Sequence, residues 1–232
     1  MERLEEKLKE YFMWFHRHPE LSYEEYETTA KIREILTEAG VEILPLPLQT
    51  GLVAVIRGEK PGAVRALRCD IDALPVREET GLSYASEREG RMHACGHDVH
   101  MTMALGLAQY FSQHQPKDNL IIFFQPAEEA ESGGKVAYDM GLFEGKWRPD
   151  EFYGIHDQPN LPAGTLSTLA GTLFAGTAEL KVDVIGTGGH AAYPHLAKDP
   201  IVIAAELIIQ LQTVVSRSVD PIAGGVVSVG VI

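Results

Sequence analysis

Over the first 18 positions, apolar residues recur at three- and four-residue spacing. Leu4, Leu8, Tyr11 or Phe12, and Phe15 share one face, which predicts an amphipathic helix that Pro19 stops. Ser22-Tyr23-Glu24-Glu25 has the form of a capping box: the Ser22 hydroxyl takes a first-turn N–H while Glu25 reaches back. The helix it opens runs to Gly40, a residue suited to the left-handed position after a helix end. Pro45 and Pro47 break the chain beyond it. Residues 50–57 read as a strand, 58–62 as a turn and 64–71 as a second strand. A helix follows at 99–114, with Met101, Leu105, Ala108 and Phe111 inward. Residues 120–124 are wholly apolar, the pattern of a strand buried on both faces of a parallel sheet. A helix at 134–140, stopped by Gly141, and a strand at 151–155 complete the series. Strands alternate with helices, so the fold class is α/β with a largely parallel sheet.

Near position 172 the pattern changes. Residues 179–185 alternate, with Leu180, Val182 and Val184 set against Lys181 and Asp183, as in a strand with one wet face. Residues 200–217 are helical, with Ile201, Ala204, Ile208, Leu211 and Val215 at helical spacing, and 225–232 begin another strand. The expected organisation is a larger α/β domain over 1–172 and part of a smaller α+β domain over 173–232.

Composition narrows the classes. With 232 residues, 45% hydrophobic and 23% charged, the chain can bury one large core or two smaller ones. Its 20 basic and 33 acidic residues give a net charge of -13, which argues against a nucleic-acid or anionic-membrane partner. Cys69 and Cys95 are too few for a disulfide scaffold. The start, Met1-Glu2-Arg3-Leu4, is a charged helix opening, unlike a signal peptide. No apolar run is expected to approach the roughly 20 residues that span a bilayer, and the reading is cytoplasmic. Neither a Gly-x-Ser-x-Gly elbow nor a phosphate-binding loop is present.

The chemistry concentrates in Gly90-Arg91-Met92-His93-Ala94-Cys95-Gly96-His97-Asp98-Val99-His100, where one thiol and three imidazoles crowd together. Cys95 and His97, two apart, can reach one ion, and both are common ligands of borderline metals. Asp70 and Asp72, Glu128 and Glu129, and His156 each follow a predicted strand, at the edge of an open α/β sheet where ligands bind. Cys95, His97, Glu129 and His156 can therefore converge. Adjacent carboxylates divide labour: one ligates, and its neighbour takes a proton from a water and returns it to a leaving amine. Plainer readings compete. Asp70 and Asp72 can be caps of the following turn, His93 reads as structural, and His100 as support or direct contact. Cys69 reads as core, and His16, His18 and His114 as surface or packing residues.

The chain resembles the M20 family of metallo-amidohydrolases, in the branch of aminoacylases, hippurate hydrolases and auxin-conjugate hydrolases. The likeness rests on His18-Pro19-Glu20-Leu21, Asp70-Ile71-Asp72-Ala73-Leu74-Pro75, Met92 to Asp98, Phe124-Gln125-Pro126-Ala127-Glu128-Glu129, Gly154-Ile155-His156 with Pro159, and Gly188-Gly189-His190-Ala191-Ala192-Tyr193-Pro194-His195. It implies Cys95, His97, Glu129 and His156 as ligands of two divalent ions, zinc, manganese or similar, with Cys95 bridging. It implies Glu128 as general base, Asp72 as a carboxylate supporting the ligands, and His190 as an oxyanion donor reaching a partner's site. It further implies a homo-oligomer formed through the 173–232 domain, a small N-acyl amino acid as substrate, and a longer enzyme whose final ligand histidine lies beyond Ile232. A broad N-acyl-amino-acid hydrolase and an inactive metal-binding fragment are the alternatives.

Overall fold

The computed structural model describes residues 2–130 and 132–232. They separate into two compact units, Met1–Thr165 and Leu166–Ile232. In the first, helices α1 (Glu2–Arg17) and α2 (Tyr26–Glu38) precede strands β1 (Glu42–Ile43), β2 (Leu52–Ile56) and β3 (Val64–Asp70). Helix α3 (His97–Gln113), strand β4 (Asn119–Gln125), helix α4 (Gly133–Asp139) and strand β5 (Glu151–Gly154) follow. All but β1, which the sequence did not announce, lie within a few residues of their expected places.

The sheet order is β1-β2-β4-β3-β5. It is mixed: β4, β3 and β5 run parallel, whereas β1 and β2 join antiparallel. The strands that deliver the candidate site residues are the parallel ones, so their carboxyl ends share an edge. One sheet face packs Leu52, Ala54, Ile56, Leu67, Ile122 and Phe124 against Phe15 of α1, Ile32 and Leu36 of α2, and Met101 and Leu105 of α3. The other face buries Val53, Val55, Ala66, Ile121 and Phe123 with Ala137 and Leu142. Covered on both sides, β2 and β4 have no polar alternation, as their sequences anticipate.

The end of α2 follows its sequence. Gly40 takes φ +70°, and the Gly40 and Val41 N–H groups donate to the Thr37 and Leu36 carbonyls, a Schellman closure. Its start does not. Ser22 Oγ donates to Asp72 Oδ2 at 2.7 Å, and Glu25 is fully buried elsewhere, so the expected capping box is absent. Glu20 caps instead, its carboxylate accepting from the Glu27 and Thr28 N–H groups at 3.1 and 2.7 Å.

In the second unit, α5 (Pro200–Ser218) begins at Asp199, whose side chain accepts from the Ile201 and Val202 N–H groups. Glu206, Gln210, Thr213 and Arg217 form a polar stripe along a mostly apolar helix. By length and composition alone α5 is apolar enough to cross a membrane, with a mean hydropathy of 1.4, contrary to the expectation that no stretch approaches that length. The strands expected at 179–185 and 225–232 are not formed. A period-two pattern prepares a strand, but a ladder needs a partner. Among the described residues of this unit, pairing is limited to the Thr187–Lys198 bridge.

Candidate metal centre

The parallel strands end beside one another, and the loops leaving them build the site. Strand β3 delivers Asp70 and Asp72, and β4 delivers Glu128 and Glu129. Beyond β5 come His156 and Asp157. The Cys95 turn is fastened to this edge by a two-bond bridge between Leu74 and Met92. At its end Gly96 takes φ +83°, which favours glycine, and a Cβ there would meet the Asp157 carboxylate at 2.3 Å and displace it. His97 then opens α3.

His97 is buried at the centre. Its Nδ1 lies 2.8 Å from the Asp72 carbonyl, which can only accept, so that nitrogen carries a proton and Nε2 faces inward. Glu129 Oε1 stands 3.6 Å and Glu128 Oε2 3.9 Å from that Nε2. His156 is fixed in the same way: Nδ1 donates to the Asp157 carbonyl at 2.8 Å, and Nε2 lies 3.5 Å from Cys95 Sγ. Asp72 also accepts from Ser22 Oγ and from the Glu129 N–H, and so ties the β3 and β4 loops together.

These donors fit a divalent ion. Cys95, His97 and His156 present ligand atoms within 4.8 Å of one another, as do His97, Glu128 and Glu129. His97 Nε2 and Glu129 Oε1 are buried without a hydrogen-bond partner among the described residues. Their 3.6 Å separation is too long for a hydrogen bond. It is close to the roughly 3.4 Å that two ligand atoms keep around one tetrahedral ion. The charge balance agrees. Asp70, Asp72, Glu128, Glu129 and Asp157 crowd the site, and Arg68 is the guanidinium among them, 2.5 Å from Asp70 Oδ2 and 3.6 Å from Glu128 Oε1. Burial and the Glu129 charge push the Cys95 thiol up to about 12. Burial opposes charge on His97, but the Asp72 hydrogen bond and the Asp70 charge outweigh it and raise its pKa to about 9. Burial raises Glu129 as well. Such a cluster holds more negative charge than its own cations balance, and a divalent cation would correct that.

The structure thus brings together Cys95, His97, Glu128, Glu129, His156 and Asp72. His190 lies in the second unit, where its Nδ1 accepts the Ala192 N–H at 3.1 Å. Around these ligands, His100 takes the supporting place read for it, whereas Asp157 had not been singled out as a site residue. His100 Nδ1 donates to Asp70 Oδ1 at 2.5 Å, while its Nε2 accepts the Asp157 N–H at 3.0 Å. Burial opposes the charge of Asp70, yet His100, His97 and Arg68 hold its pKa down to about 2. Asp157 joins His100 and His156 in a further group of ligand-type atoms. Its position directly after His156 was the available signal. His16, read as a surface or packing residue, is buried between Asp98 (2.6 Å) and Glu78 (3.2 Å). His93 is buried with both ring nitrogens unpartnered among the described residues, and Cys69 is core.

Comparison with known proteins gives the wider setting. The model of peptidase family M20/M25/M40 matches residues 66–228. An N-acetyldiaminopimelate deacetylase of Leuconostoc citreum is 73% identical over 98% of this chain and 60% of its own length. That of Leuconostoc mesenteroides is 63% identical over the same shares. The chain therefore spans about 60% of the length of these curated relatives. Among solved structures, a Bacillus subtilis dinuclear metal-binding peptidase of the M20 family is 41% identical. It covers 69% of this chain and 45% of its own, with a TM-score of 0.66. A candidate aminohydrolase from methicillin-resistant Staphylococcus aureus is 33% identical, covering 99% and 62%, with a TM-score of 0.74.

Proposed function

The chain belongs to peptidase family M20/M25/M40, and from that membership we propose that it carries the metal-binding part of an amidohydrolase. The substrate we propose is N-acetyl-LL-diaminopimelate, converted to diaminopimelate and acetate in lysine biosynthesis. The observation that carries the chemistry is the pair of carboxylates, Glu128 and Glu129, at 3.9 and 3.6 Å from His97 Nε2. The names of the relatives support the substrate.

Cys95, His97, Glu129 and His156 would hold two divalent ions, zinc, manganese or similar. When bound, the ions supply a water of near-neutral pKa and a polarised amide carbonyl. Glu128 takes a proton from the attacking water and gives it to the amide nitrogen as the C–N bond breaks, so acetate and a free amine leave. Glu128 is the more exposed of the two carboxylates, open to substrate, whereas Glu129 is held through its N–H by Asp72. Asp72 fixes the ring of His97 through its carbonyl. His190 of a second copy, within a homo-oligomer formed through residues 173–232, would donate to the developing oxyanion.

The test is turnover by the full-length protein with manganese or zinc. N-acetyl-LL-diaminopimelate is set beside hippurate and simple N-acetyl amino acids, with and without chelator. Preference for the first is expected. Comparable rates on all would make this a broad acyl-amino-acid hydrolase, and no chelator-sensitive rate on any would overturn the reading. In the same assay Glu128→Gln keeps its metal and loses about a hundredfold or more in kcat. Near-normal turnover would remove Glu128 from its role.

A further inference from the structure

Glu25 is a fully buried carboxylate on the last residue before α2, and the chemistry above makes no use of it. Both its oxygens are engaged. Oε2 accepts from Thr50 Oγ1 at 2.7 Å, and Oε1 accepts from the Ala127 N–H at 2.8 Å, across 102 positions of sequence. Ala127 is itself unusual. It is fully buried and sits at φ +51°, in the left-handed region that L-residues other than Asn and Asp avoid. Its carbonyl is held from the other side by the Gly133 N–H at 2.8 Å. The next two residues are Glu128 and Glu129. The direction in which both carboxylates leave the end of β4 is therefore set by a strained turn gripped at its N–H and at its carbonyl.

We propose that Glu25 is a positioning residue: it holds Ala127 left-handed and thereby aims Glu129 at the metal centre and Glu128 at the substrate. The inference rests on the metal-centre reading given above. A buried backbone N–H left without an acceptor costs its full desolvation, so the Glu25 oxygen that takes the Ala127 N–H is the partner this turn depends on. Without it the left-handed turn has no compensation at its N–H, and the loop relaxes toward an ordinary backbone conformation. The same segment acts twice, because Ser22, three residues before Glu25, donates to the Asp72 oxygen that also takes the Glu129 N–H. The chain just before α2 thus supports the β4 loop at two neighbouring residues.

The experiment compares Glu25→Ala, Glu25→Gln and Ile32→Val in the full-length protein. Ile32 is a buried α2 residue in the apolar cluster, away from the turn, and serves as a control for stability alone. Two quantities are read: affinity for zinc by chelator competition, and kcat against KM at saturating metal. Glu25→Ala weakens zinc binding about ten- to a hundredfold, the usual effect of losing a partner that orients a ligand. It lowers kcat more than it raises KM. Glu25→Gln keeps an oxygen for the Ala127 N–H and turns its amide to Thr50, so it restores both within about threefold. Ile32→Val loses stability and changes neither. If Glu25→Ala does not fold, Glu25→Asp, one methylene short of the Ala127 N–H, carries the same expectation. Unchanged zinc affinity and kcat in the Ala or Asp variant overturns the proposal. So does an equal loss in Ile32→Val, which would make the effect one of stability. A wild-type protein that binds zinc but hydrolyses no amide refutes the proposed function and leaves the zinc arm to decide the role of Glu25.

Discussion

Outside the metal centre, His16 is clamped between two carboxylates. The hydrogen bond to Asp98 leads, and burial opposes it, yet with Glu78 on the other ring nitrogen the net effect raises the His16 pKa above its ordinary 6.5. A group whose pKa is raised by folding stabilises the folded state fully below its unfolded pKa. That contribution is lost as pH rises through the folded value. The gap in denaturation midpoint between wild type and His16→Gln is therefore largest near pH 6 and shrinks above the raised pKa. Urea titrations of both proteins across pH 6 to 9 measure it, and a gap that grows with pH would contradict the assignment. Nothing local in the sequence announces this residue. Its partners stand 82 and 62 positions away. The convergence of Cys95, His97, Glu129 and His156 was legible because each ligand-type residue stands at a strand or helix end. Arg68, Asp157, Ser22 and Glu25 were not, because ordinary polar residues acquire a role only from partners the fold supplies.

At the scale of elements, period and punctuation located α1 to α5, and every strand of the first unit but β1, the two-residue edge strand at 42–43. Gly40 and Gly141, both at positive φ, closed their helices as expected. The error at the start of α2 comes from competition for a polar group. Ser22 and Glu25 have the spacing of a capping box, but Asp72 and Ala127 claim their side chains, and Glu20 takes over the first-turn N–H groups. The two assignments predict different mutants. Glu20→Ala should destabilise the protein by about 1–2 kcal/mol, the scale of a lost N-cap, with little effect on metal affinity at saturation. Ser22→Ala should spare α2 and instead loosen Asp72. Urea denaturation followed by helical circular dichroism separates them. A neutral Glu20→Ala beside a costly Ser22→Ala would restore the capping box. The missing strands at 179–185 and 225–232 teach the complementary point. Alternation such as Leu180, Val182 and Val184 fixes which face a strand would bury, while the ladder itself requires a neighbour.

Across the whole molecule, an acidic chain with net charge -13 gathers Asp70, Asp72, Glu128 and Glu129 around His97 at the end of the parallel strands. Asp70 and Asp72 are wholly buried there, and Glu129 partly so, beside one guanidinium. Burial and the neighbouring Glu128 and Asp72 charges oppose ionisation of Glu129, and burial and the carboxylates oppose that of Cys95; a divalent cation that binds only the folded chain relieves both. By mass action, metal at about one hundred times its Kd adds roughly 2.7 kcal/mol to stability. For a protein of this size that corresponds to a rise of about 5–10 °C in Tm. The rise should come with a local signature, because the ligands arrive on separate loops. Hydrogen exchange should slow in peptides around 70–74, 93–101, 125–130 and 154–158 when zinc is added, and recover on chelation. Thermal scans and exchange mass spectrometry with and without zinc test this together. A Tm that ignores zinc, or protection that gathers elsewhere, would show that these donors do not form one centre, and the assignment of Cys95, His97, Glu129 and His156 would fall with it.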